Sequence, residues 1–199
     1  VMNSSGAATF TLDSAARMYG FTFNGAGILN FGTADVTVDG VWTQSAGTVN
    51  APGGTLTFTT SDFTRSGGVF NAGSGRVAFT GSTANQSITA DGQVFNDLSS
   101  QKPGYALVIA GGTSIDVNGS LTLTDGSLDT GTVNAKGAVS AASTFDGGTA
   151  NLILNGADAQ AVSFGSGVVL PNVTFNNANL DVTPSGSLSL YGLTLTDGT

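Results

Sequence analysis

Cysteine, histidine and glutamate are all missing from this chain of 199 residues. Without cysteine there can be no disulfide, no thiol nucleophile and no soft-metal site. That absence leaves the redox compartment open. Without histidine, Ser-His-Asp triads, most zinc sites and the usual proton shuttle are excluded. Serine and threonine abound, but none has a neighbouring base to activate it. Basic residues are scarce as well: Arg17, Arg65, Arg76, Lys102 and Lys136 are scattered along a chain of net charge −8. With no basic cluster and a pI near 4.1, nucleic acid is not an expected partner, since its phosphates must be met by lysine and arginine. No apolar run approaches the ~20 residues that cross a bilayer as a helix.

Charged residues make up only 9% of the chain, against about 25% in ordinary soluble domains. Hydrophobic residues make up 40%, so the chain can build a core and is no disordered tail. Asparagine, serine, threonine and 30 glycines take the place of lysine and glutamate. A polar surface with few charges suits strands stacked on copies of themselves, where like charges in register would repel. All 13 acidic residues are aspartate, which favours turns by bonding its own backbone. The pairs Asp39-Gly40, Asp91-Gly92, Asp125-Gly126, Asp146-Gly147 and Asp197-Gly198 mark such turns.

An internal repeat decides the fold class. Residues 42–61, WTQSAGTVNAPGGTLTFTTS, align without a gap on 63–82, FTRSGGVFNAGSGRVAFTGS, with about nine identities in twenty. The segment GILNFGTADVTV at 27–38 aligns in turn on GTVNAPGGTLTF at 47–58. Val36, Leu56 and Val77 fall in one column and Val38, Phe58 and Phe79 in another, with Thr37, Thr57 and Ala78 between them. This alternation of period two marks a strand with one buried face. Asn30, Asn50 and Asn71 form a third column, suited to a ladder of side-chain hydrogen bonds between parallel strands.

A super-repeat of roughly 72–75 residues overlies the coils. RVAFTGSTANQSI at 76–88 resembles NLILNGADAQAV at 151–162, and LTLTDG occurs at 121–126 and 193–198, so that 76–126 resembles 151–198. The sequence therefore predicts an all-β fold, one continuous parallel β-solenoid over 1–199 in coils of about 20–21 residues. Each coil is expected to hold three strands of four or five residues, paired at about 4.8 Å. Gln101-Lys-Pro-Gly104 reads as a longer turn. A string of immunoglobulin-like sandwiches explains neither the short repeat nor the asparagine column. The chain opens at Val1-Met2 and ends at Thr199 within a repeat, so a piece of a longer protein is expected.

Solenoids can carry chemistry of several kinds. Polysaccharide cleavage needs paired carboxylates about 5–9.5 Å apart. Asp35 and Asp39 share a strand face but lie about 13 Å apart, and Thr55 and Thr59 follow them in the next coil. Calcium β-rolls carry Gly-Gly-x-Gly-x-Asp, which Gly53-Gly54 and Gly147-Gly148 do not continue. The threonines at 55, 57 and 59 suggest ice binding, but the middle column breaks at Ala78. Sequons such as Asn85-Gln-Ser87 and Asn172-Val-Thr174 are what a chain rich in these residues yields by chance. The expectation is no enzyme, no cofactor and no metal. Exposed aromatics would be the anchors of a lateral glycan or host-protein site, with Trp42 and Tyr105 the leading candidates, followed by Tyr19 and Tyr191.

The unit FTRSGGVFNAGSGRVAFTGS, followed by NQSI and VFNDLS, resembles the repeats of large bacterial surface proteins of the filamentous-haemagglutinin and autotransporter-adhesin kind. The resemblance runs over about residues 21–199. It implies export to the cell surface or beyond, a right-handed single-stranded parallel β-helix, and a part in display, adhesion or fibre formation. It brings no catalytic residues. The expected function is a structural scaffold, a shaft or self-stacking fibre subunit, with an adhesin module as the alternative.

Overall fold

The structure, a computed structural model, describes residues 8–12, 14–179 and 187–197. These form a β-solenoid of about nine turns, without a helix among the described residues. At about 4.8 Å per turn the rod is ~40–45 Å long. The first four turns each hold three short strands. They are β1 (Thr9–Thr11), β2 (Ala16–Met18) and β3 (Phe21–Phe23); β4 (Ile28–Asn30), β5 (Val36–Val38) and β6 (Trp42–Gln44); β7 (Thr48–Asn50), β8 (Thr55–Phe58) and β9 (Phe63–Arg65); and β10 (Val69–Asn71), β11 (Arg76–Phe79) and β12 (Gln86–Thr89). Strands of three or four residues are shorter than the sequence suggests. Glycine and Asp-Gly corners follow one another too closely for more.

Beyond β13 (Gln93–Phe95) some strands become long enough to continue around a corner. β14 runs Asp97–Ile109, and its two ends pair separately with β11 and β12, joining two walls of the rod into one sheet. β15 (Ser114–Val117) and β16 (Leu121–Asp129) follow, then β17 (Thr132–Ala135), β18 (Val139–Ala141), β19 (Asn151–Leu154), β20 (Val162–Phe164), β21 (Val169–Asn176) and β22 (Ser189–Asp197). Every pairing between these strands is parallel, as in Val36 on Leu56 and Leu56 on Val77. Gln101–Gly104 is not a turn. It lies inside β14, at a register shift against β16 that follows Ser100.

The ladder lapses once along one wall, between β10 and β13. There the Gln93 side chain substitutes for a strand bond, its Nε2 donating to Phe70 O at 3.2 Å. Inward residues of all three walls meet in one core. Its early coils are aromatic, with Phe58 stacked on Phe79 at 5.0 Å, and its later coils, from Leu107 to Val173, are mainly aliphatic, with Phe145 and Phe164 among them. Corners are stacked as tightly as the strands: a Cβ on Gly137 would lie 1.9 Å from Gly119 O.

Candidate functional site

The asparagine column lies on the outer surface of the wall formed by β4, β7 and β10. Asn50 Nδ2 donates to Asn30 Oδ1, and Asn71 Nδ2 donates to Asn50 Oδ1 at 2.7 Å. Val36, Leu56, Val77, Val38, Phe58 and Phe79 are all buried in the core. Trp42 is buried too, only 1% exposed. Its ring stacks on Phe21 at 4.0 Å and on Phe63 at 5.9 Å. It therefore cannot serve as a lateral anchor, because its inward place on β6 commits it to the aromatic core. Tyr105 is 37% exposed at the corner within β14, and Tyr19 and Tyr191 are well exposed.

The aspartates join coil to coil. Asp35, Asp62, Asp91, Asp97 and Asp129 each accept a hydrogen bond from the backbone N–H of a Ser or Thr in the next coil: Thr55, Ser87, Ser114, Ser120 and Thr149, at 2.6–3.0 Å. Such bonds satisfy N–H groups at strand starts that the ladder leaves open. Among the described residues no three acidic side chains converge as metal ligands would. Asp39 is held below the usual carboxylate range by hydrogen bonds from Arg17 and Thr59. At Asp116 burial works in the opposite direction, but hydrogen bonds from Lys136, at 2.6 Å, and from Asn134 outweigh it and lower the pKa.

Two buried polar corners were not anticipated. In the first, Gln86 Nε2 donates to Ser61 O at 2.7 Å and Phe58 O at 3.2 Å, while its Oε1 accepts from Gly81 N at 3.1 Å. Lys102, fully buried, donates from Nζ to that same Oε1 and to Ala84 O, both at 2.8 Å. Burial pushes the Lys102 ammonium down to about 8, against a weak upward pull from Asp62. In the second, Gln160 Nε2 donates to Ala135 O at 2.8 Å and Gly137 O at 2.6 Å, and its Oε1 accepts from Gly156 N at 3.3 Å. Asn177, 4% exposed, donates to Asp158 O at 3.0 Å and to Gln160 Oε1 at 3.5 Å. The signal was in the sequence, since Gln86 and Gln160 align in the super-repeat.

Coils of unequal length leave a lateral groove beside the second corner. Val139 pairs with Leu121, eighteen residues back, and Val162 pairs with Val139, twenty-three residues back. The loop 155–161, seven residues where the coil below has three at 136–138, overhangs that shorter coil and frames an open groove of about 660 Å³. Asn118, Lys136, Asn155 and Asp158 supply polar groups to this groove, and Ala138 and Ala159 supply methyls. Among the described residues the Asn155 Oδ1, which is buried, has no hydrogen-bond donor. Compared with known proteins, the chain matches no family model, and no curated protein or solved structure is significantly similar to it.

Proposed function

We propose that this protein is a structural scaffold outside the cell, either the shaft of a bacterial surface protein of the filamentous-haemagglutinin or autotransporter-adhesin kind or a subunit of a fibre stacked end to end. The observation that carries this reading is the bare core on β22. Leu193 and Leu195 pair in register with Val173 and Phe175 of the inward column, yet they are 53% and 73% exposed. Phe10 on β1, in register with the buried Leu29, is exposed in the same way at the other end of the rod. Unpaired strand edges carrying apolar side chains favour addition of another strand, and solenoid ends need a covering coil. Further coils of the same polypeptide, or an identical copy, fit both ends.

Electron microscopy of the native material tests this reading, with rods or fibres much longer than the ~40–45 Å of nine coils as the expected result. Compact, monodisperse particles from the full-length protein would remove the fibre version. Leu193→Lys with Leu195→Lys should shorten or abolish the fibres while leaving the circular dichroism of the β-sheet unchanged.

A further inference from the structure

We propose that the groove beneath residues 155–161 is a binding site for a short, neutral, polyhydroxylated chain, an oligosaccharide in chemical class. This goes beyond the scaffold reading and does not depend on what joins the ends of the rod. A volume of about 660 Å³ falls within the usual range of small-molecule sites, ~300–1,000 Å³. The shape comes from the backbone, because a long coil overlies a short one, and so the groove exists without a ligand to open it. Gln160 makes four hydrogen bonds beneath the overhang, to two carbonyls below, to Gly156 N and to Asn177. That network fixes the roof and pre-organises the groove.

The lining selects the class of ligand. Lys136 is already paired with Asp116 at 2.6 Å, so it offers the remaining N–H donors without an unbalanced positive charge. Asp158 adds a carboxylate acceptor, which disfavours an anion. Asn118 offers an amide able to donate and accept, and Asn155 offers the N–H donors of its Nδ2. Alanine methyls at 138 and 159 add small apolar contacts for a sugar ring's C–H groups. Among the described residues no large apolar side chain lines the groove, so a hydrophobic peptide finds no pocket there.

The test is titration of the 15N-labelled protein with cellotriose, chitotriose and laminaritriose, followed by amide shifts. Saturable shifts confined to residues 136–138 and 155–161 are expected, with a dissociation constant in the ~mM range. Asn155→Ala should weaken binding about fivefold, the worth of one neutral hydrogen bond. Ala159→Trp, made at an exposed position of the overhang, should fill the groove and abolish the shifts without disturbing the rest of the spectrum. No saturable shift with any of the three sugars overturns the site. Shifts that persist in Ala159→Trp do the same, and tighter binding of a sulfated disaccharide overturns the neutral class.

Discussion

The two buried corners, seventy-five residues apart at Gly81 and Gly156 and at Lys102 and Asn177, are built alike but closed by different chemistry. Each has a glycine pressed against the coil below, a glutamine bonded to two of that coil's carbonyls, and a donor arriving from the following coil. Each donor follows a register shift, after Ser100 in one and after Phe175 in the other. A register shift of this kind re-aims the side chains that follow it. What the corner requires is a donor that reaches both the glutamine oxygen and one loop carbonyl. Asparagine meets that need without charge. Lysine meets it with a longer arm, at the cost of a desolvated ammonium.

Replacing the glycines should break the comparison most severely. In Gly81→Ala the new Cβ would lie 2.1 Å from Thr59 O, and in Gly156→Ala 2.6 Å from Lys136 O. We expect losses of about 4 and about 2 kcal/mol respectively in urea unfolding. Equal losses would mean that the corners are packed to the same depth. Gln86→Leu comes next, at about 3 kcal/mol, because it strands Ser61 O, takes from Phe58 O one of its two donors, the other being Thr80 N–H, and leaves the Lys102 ammonium one acceptor short. Gln160→Leu, which strands no charge, should cost about 2 kcal/mol.

The pH dependence separates the corners more finely. The folded pKa of Lys102 is depressed to about 8 from the ordinary value near 10.4. Below pH 8 both folded and unfolded chains hold the proton, and the penalty of the buried charge is constant. Between pH 8 and about 10.4 the unfolded chain still holds a proton that the folded chain has lost, so stability rises with pH. Relative to Lys102→Met, the native protein should gain about 1–3 kcal/mol across that window. A flat difference between the two unfolding curves would place the ammonium in water instead. The smallest effect is expected for Lys102→Asn, which copies the second corner into the first. It should change stability at pH 7 by about 1 kcal/mol or less and remove the pH slope.

Much of the rod was legible in the sequence because its rules are local. Period-two alternation sends Val38, Phe58 and Phe79 inward, and the twenty-residue spacing lays them over one another. The buried corners escaped for the opposite reason. Lys102 sits in Gln-Lys-Pro-Gly, which reads as an exposed turn, and the register shift before it breaks the alternation that assigns inside and outside. Residue type alone makes Trp42 a candidate anchor, whereas its strand position places it between Phe21 and Phe63. The aspartates read as local turn residues, yet five of them bond the coil above.

The sequence by itself determined that coils stack in parallel, which columns face the core, and that asparagines recur at one place on the surface. Each follows from a repeat whose period matches one turn, so that every residue's neighbour is a residue of known type. Only the tertiary structure decided which polar side chains are buried and where a groove opens. Those features arise where a coil of twenty-five residues lies between coils of twenty-one, and where one of twenty-three lies against one of eighteen. The excess chain must overhang, bulge or fold inward, and which it does depends on the coil beneath rather than on the residues themselves.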